Sequence, residues 1–143
     1  MHLIDFGAAR AYSKEFTDRY MHLLHAASLG DKQGCIHWSR ELGFLTGNES
    51  HAMNDAHVSS LLLLAQPFSI HSRQPFSFAS QTITDQVRSA IPTMLKERLT
   101  PPPDEAYSLH RKLSGCFLLC TKLGARFPAA RIFKEYHQGY IFS

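Results

Sequence analysis

Helical periodicity, cut at intervals by glycine and proline, is what most limits the folds open to this chain. Phe16, Tyr20, Leu23, Leu24 and Ala27 recur at the three- and four-residue spacing of one helix face. Ser13 suits the N-cap ahead of them and Gly30 the position just past the end, so a helix is expected from about Lys14 to Leu29. Asp31 then caps a second helix that carries Cys35, Ile36, Trp38 and Leu42 and ends at Gly43. The Gly30-Asp31 turn makes these two an antiparallel hairpin. A third helix starts near Asn48 or Glu49 and reaches Ala65, where Pro67 stops it. Its first half is amphipathic through Met53, Ala56 and His57. Its end, Leu61-Leu62-Leu63-Leu64, is apolar all round and has to lie inside the protein.

The second half obeys the same grammar. Residues Phe68 to Gln81 read as a loop pinned to the core by Phe76 and Phe78. A fourth helix, from about Thr82 to Leu99, places Ile83, Val87, Ile91, Met94 and Leu95 on one stripe, with Pro92 expected to kink or restart it. Pro101-Pro102-Pro103 is a rigid extended break, and Asp104 and Glu105 favour the first turn of the next helix. That fifth helix, about Asp104 to Leu123, puts Ala106, Leu109, Leu113, Cys116, Phe117 and Cys120 on one face and ends at Gly124. Pro128 opens a short last helix with Ile132, Phe133 and Tyr136. The fold class is therefore mainly α, one short strand followed by about six helices, in a single domain over residues 1–143.

Composition narrows the function classes. A chain of 143 residues with 44% hydrophobic and 19% charged residues suits one soluble domain with a real core. The net charge of +3 comes from scattered lysines and arginines with no aromatic-interleaved basic run, which speaks against a nucleic-acid partner. The three cysteines, Cys35, Cys116 and Cys120, form no CxxC pair and read as reduced and mostly buried. The longest aliphatic run, Leu61 to Ala65, is far short of the roughly 20 residues of a membrane span, so no transmembrane segment is expected. No targeting segment is evident ahead of the domain.

The chemistry-bearing stretch is His2-Leu3-Ile4-Asp5-Phe6-Gly7. Two aliphatics end a strand, a carboxylate comes next, and a glycine lets the chain turn away. In phosphoryl transfer this arrangement fixes a carboxylate oxygen on the Mg²⁺ that bridges the nucleotide phosphates. A helix cap appears already at Ser13, and no Ala-Pro-Glu is present, so the peptide-positioning segment of a conventional protein kinase has no counterpart here.

Other constellations read more plainly. Asp18, His22 and His25 share a helix face opposite the apolar stripe; a metal site there competes with a solvated face, which is the simpler reading. Cys116 and Cys120, one turn apart, could serve as a metal or redox pair, but their apolar company favours buried small hydrophobes. His110, beside Arg111, lacks a nucleophile partner and reads as a hydrogen-bonded helix histidine. Ser108 and Ser114 are unaccompanied, and no catalytic residue is assigned.

A set of motifs then resembles one family. These are Asp5-Phe6-Gly7-Ala8-Ala9-Arg10, Glu15-Phe16-Thr17-Asp18 with Tyr20, Phe44-Leu45-Thr46-Gly47, Asp55-Ala56-His57, and Ile91-Pro92 with Leu95 and Arg98-Leu99. The most specific is Pro101 to Lys112, with Phe117 to Lys122 after it. Together they resemble the UbiB-like (aarF-domain) atypical kinases, and most closely the animal mitochondrial branch that supports coenzyme Q biosynthesis. The resemblance covers nearly the whole chain. It implies the C-terminal part of a kinase-like C-lobe, Mg²⁺ and ATP as cofactors, and Asp5 as the residue that binds both. It also implies partners in the coenzyme Q biosynthetic complex and among inner-membrane lipids, at the matrix side of the inner mitochondrial membrane. The family's nucleotide lysine, N-lobe and catalytic-loop residues precede the Asp-Phe-Gly motif and have no match here, so the chain is expected to be a fragment. The alternative is a non-catalytic helical interaction module, from a truncated isoform or an incomplete gene model. In either case Leu3 and Ile4 would form a strand with no partner in this chain, and exposed apolar surface is expected.

Overall fold

The computed structural model describes residues 9–79 and 82–143. The expected Leu3-Ile4 strand and the whole Asp5-Phe6-Gly7 motif lie outside the described residues. Among the described residues six helices are formed: α1 Lys14–Leu29, α2 Lys32–Glu41, α3 His51–Ala65, α4 Ile83–Glu97, α5 Asp104–Lys122 and α6 Ala129–Gln138. A 3-10 turn, Gln66–Phe68, continues α3 past Pro67. Two short strands, β1 Phe76–Ser77 and β2 Arg126–Phe127, pair antiparallel with Phe76 opposite Phe127.

The caps explain most boundaries. The Ser13 hydroxyl accepts from the Phe16 N–H at 3.1 Å, and Gly30 closes α1 in the left-handed conformation at φ 75°. Asp31 accepts from Gly34 N–H at 2.9 Å and starts α2. Ser50, rather than Asn48 or Glu49, caps α3 by accepting from Met53 N–H at 3.1 Å. Glu49 is used otherwise: its carboxylate accepts from the Thr46 and Gly47 N–H groups at 2.6 and 2.8 Å and closes the preceding loop.

α1, α2 and α3 pack on one another, and α4 packs along α3. The main core gathers Phe16, Tyr20, Leu23, Cys35, Phe44 and Met53 with Val58, Leu61 and Ala106. A second, smaller core forms around Phe78, Ile83 and Phe117, with Phe76, Leu113 and Phe127 against it. The apolar end of α3 serves both: Leu61 and Leu62 turn to the first core and Leu63 and Leu64 to the second. The loop reading of residues 68–81 misses β1, yet its phenylalanines do pin it, Phe78 being buried to 2% exposure.

Three expectations about faces are corrected. The α4 stripe divides: Ile83 is buried, Val87 and Met94 are half-buried, but Ile91 and Leu95 are exposed, Leu95 to 74%. Pro92 does not restart α4, which runs on through it; Pro92 and Arg88, whose carbonyl loses its helical partner, are both exposed residues. Cys116 is exposed rather than buried, while Phe117 and Cys120 face the smaller core. Beside Cys116, Leu118, Leu119 and Leu123 are also exposed, so part of the α5 surface is apolar.

Because Phe78 fills the centre of the smaller core against Phe117 at 5.7 Å and Phe127 at 5.2 Å, Phe78→Ala is expected to cost about 3–5 kcal/mol of unfolding free energy. The exposed Leu119→Ala should stay within about 0.5 kcal/mol of the parent. Urea unfolding of the two variants checks the contrast, and equal losses would contradict the two-core arrangement.

Candidate functional site

The segment leading out of Asp5-Phe6-Gly7 is anchored on the start of α5. Arg10 donates from Nη1 to the Asp104 carbonyl at 3.1 Å and pairs through Nη2 with Glu105 at 3.6 Å. Two residues on, the Tyr12 and Ser108 hydroxyls share a hydrogen bond at 2.8 Å. Lys112 lies 5.2 Å over the Tyr12 ring. The Tyr12 hydroxyl is more acidic than usual, first through the Ser108 hydrogen bond and then through the positive charges of Lys112 and Arg10. Ser108 thus has a partner that its sequence context does not reveal. The chain after the glycine is tied to the triple-proline stretch across more than ninety residues of sequence.

The histidines fall into two groups. On the outer face of α1, the Asp18-His22-His25 row is not fully solvated: Asp18 is buried and the two histidines are half-buried. The C-terminal tail folds over it. The Asp18 carboxylate pairs with Lys14, accepts from the Tyr140 hydroxyl at 2.7 Å, and accepts from the Ser143 N–H at 3.0 Å and from its hydroxyl. These contacts, Lys14 first, hold the carboxyl well below its ordinary value. His22 stacks between Trp38 and Phe142, each at 4.3 Å. His25 stacks on His137 at 3.8 Å, and burial followed by the charges of His137 and His22 keeps it less basic than usual. Stacking uses the ring faces rather than converging the nitrogens, and among the described residues no three His, Cys, Asp or Glu side chains form a metal site.

The second group is internal. His57 on α3 is buried, with Nε2 2.9 Å from Ser39 Oγ of α2. Phe44 stacks flat on His110 of α5 at 5.8 Å, with an interplanar angle of 2°, and tilts against His57 at the same distance. Arg98, just past α4, completes the cluster around a cavity of about 120 Å³. The expectation for His110 is corrected: its Nε2 is buried and has no hydrogen-bond partner, the ring being held by stacking on Phe44 and a tilted contact with Tyr20. Arg98 Nη1 is likewise buried without a partner. Burial first, then the Arg98 charge, lowers the basicity of both histidines, His57 to about 4. Arg98 and His57 stand in separate motifs in the sequence, and only the packing of α3 against α4 brings them together.

No protein-family model matches the chain. Curated relatives match nearly all of it. It is 49% identical over 140 residues to the mitochondrial atypical kinase coq-8 of Caenorhabditis elegans, covering 98% of this chain and 18% of that protein. It is 50% identical over 133 residues to the mitochondrial atypical kinase COQ8 of Saccharomyces cerevisiae, covering 93% of this chain and 26% of that protein. It is 47% identical over 138 residues to the mitochondrial atypical kinase COQ8B of Danio rerio, covering 96% of this chain and 22% of that protein. These matches define a stretch of an atypical kinase. The chain belongs to the COQ8, or UbiB, family of such kinases, which places it among mitochondrial proteins. It spans about a fifth to a quarter of the length of these relatives.

His57 has a folded value near 4 against an ordinary 6.5, so folding favours its neutral form. The stabilisation is fully present above pH 6.5 and is lost as pH falls towards 4, on the order of 3 kcal/mol in total. His110 acts in the same direction. Urea unfolding measured through that window should show the loss, and His57→Gln should flatten it; a flat parent profile would remove the electrostatic account of this cluster.

Proposed function

We propose that this chain is the C-terminal part, over residues 1–143, of the kinase-like domain of an atypical kinase or ATPase that supports ubiquinone biosynthesis. In this reading the complete protein works at the matrix side of the inner mitochondrial membrane, with coenzyme Q biosynthetic proteins and inner-membrane lipids as partners. The observation that carries it is the high identity to COQ8 atypical kinases over almost the entire chain, Asp5-Phe6-Gly7 included in its span. Asp5 is the residue assigned to Mg-ATP. A single hard carboxylate suits Mg²⁺, which keeps several waters and takes one or two carboxylates together with phosphate oxygens. Mg²⁺ held by Asp5 would supply positive charge against the nucleotide phosphates. The protein's own contribution is placement. Arg10 and Tyr12, fastened to Asp104, Glu105 and Ser108, fix the chain that leaves the motif.

A second reading is favoured by one observation, the exposed Leu118, Leu119 and Leu123 of α5. Here the chain is a non-catalytic helical module that docks and does not turn over nucleotide.

The two separate by experiment. In the complete protein that contains this segment, Asp5→Asn is expected to lower Mg²⁺-dependent ATP turnover on the order of 100-fold, the scale on which loss of a preorganised charge contact acts. Arg10→Ala should lower it less. Unchanged turnover in the Asp5 variant would remove the metal assignment. Titration of Mg-ATP into the isolated 143-residue chain completes the test: Asp5-dependent binding there would argue against the docking module.

A further inference from the structure

The last stretch of the chain is fastened at three places, which differ in how they meet a proton. Within α6, Phe133 packs on Phe68 of the 3-10 turn at 5.3 Å. Beyond α6, the tail is held by the Asp18 carboxylate, which accepts from the Tyr140 hydroxyl at 2.7 Å and from the Ser143 N–H at 3.0 Å. Lys14 also reaches the Tyr140 hydroxyl, at 3.2 Å. Neither fastening changes near neutral pH. Phe133 and Phe68 do not titrate, and Lys14 and the tail keep the Asp18 carboxyl ionised far into acid. Between them lies the third fastening. His25 of α1 stacks face to face on His137, in the last turn of α6, at 3.8 Å and 11°.

Two imidazoles this close tolerate one charge better than two, because two imidazolium rings repel with little water between them. Nothing around the pair answers that second charge. On α1 the neighbour is His22, one turn away, and Asp18 is already engaged by Lys14 and the tail. On α6, Lys134 lines the same groove and Glu135 pairs with Arg131 at 3.8 Å. The tail brings the Phe142 ring to 5.9 Å from His137, and the 3-10 turn and the residues after it bring Phe68 and Ile70. α2 meets this face through Trp38, which stacks on His22 and has His37 against it edge-on. The groove beside the pair, of about 330 Å³, has no carboxylate in its lining. A charge on His22 is different: it would meet Asp18 one turn away and the faces of Trp38 and Phe142.

We propose that the His25–His137 stack is an acid-released joint, which closes the end of α6 on α1 while the rings are neutral and lets it lift when both are protonated. Phe133 and the tail held by Asp18 stay in place. Opening widens the groove between α1, the 3-10 turn and α6, where Leu29 and Ile70 already stand exposed. His25 is less basic than usual, through burial first and then through His137 and His22, so folding favours its neutral form. The contribution of the joint is therefore complete above the ordinary histidine value of 6.5 and is lost as pH falls below it. The joint is separate from Asp5 and does not depend on the nucleotide reading.

Hydrogen exchange of the complete protein that contains this segment tests it, read by mass spectrometry on peptides from α6 and α3 and corrected for the intrinsic pH dependence of exchange. From about pH 7.5 to about pH 5, α6 should lose protection roughly tenfold, while α3, whose His57 titrates at about 4, keeps its own. His137→Phe leaves a ring on His25 and removes one charge, so its α6 should stay protected across that range. His25→Phe makes the same test if His137→Phe loosens α6 at neutral pH. His137→Lys, charged throughout, should already be loosened at the higher pH. An α6 whose protection does not change with pH would overturn the proposal, as would phenylalanine variants that respond to acid as the parent does. Equal loss in α3 would also overturn it, by showing general acid unfolding in place of a local joint.

Discussion

The end of α3 is the constraint on which the rest of this structure depends. Four consecutive leucines on a helix point in every direction, and each has to meet apolar matter. One core cannot surround a helix end that is itself at the edge of the three-helix layer. The chain answers with two. Leu61 and Leu62 complete the α1–α2–α3 core, while Leu63 and Leu64 form the floor of the smaller one. The smaller core is assembled from pieces far apart in sequence: the Phe76–Phe78 loop, the start of α4, the second half of α5 and the β2 strand. Without the apolar excess of α3, the second half of the chain would have little to fold against.

The same helix fixes the internal polar cluster. His57 lies one turn before Leu61, so its ring enters the interior beside the leucines, where Ser39 supplies one contact. Placing imidazoles there requires that they be neutral, and the environment enforces it. Placing Arg98 beside them raises the electrostatic cost further.

Local signals make most of the helical framework legible. Ser13, Gly30, Asp31 and Pro67 act through nearest neighbours, and helices α1 and α2 begin and end where those residues dictate. α5 and α6 are equally readable from Pro103, Gly124 and Pro128. What periodicity cannot show is which helix faces are covered. Periodicity predicts a wholly buried α4 stripe, but only Ile83, Val87 and Met94 meet the two cores, while Ile91 and Leu95 of the same stripe turn to the outside. It leaves Asp18, His22 and His25 facing water, since nothing near them in sequence covers them; the cover is Tyr140, Phe142 and Ser143, more than a hundred residues away. The strand pair is hidden for a related reason. Two residues on each side carry no alternation to detect. The Asp5 assignment rests on sequence alone, whereas the Arg98–His110 cavity is visible only in three dimensions.

The two stretches that most resemble the family, the one beginning at Asp5 and the one from Pro101 to Lys112, are not independent. Arg10 belongs to the first and reaches Asp104 and Glu105 in the second, and Tyr12 likewise reaches Ser108. Three prolines are what make this possible. They hold residues 101–103 extended, so that α5 begins at a fixed place and presents its first-turn carbonyl and carboxylate to the arginine. A flexible linker at the same position would leave Arg10 to bear the entropy of finding them. The exposed ion pair adds little energy by itself. Its effect is geometric: it holds Arg10 to Tyr12, at the start of the described chain, against the start of α5.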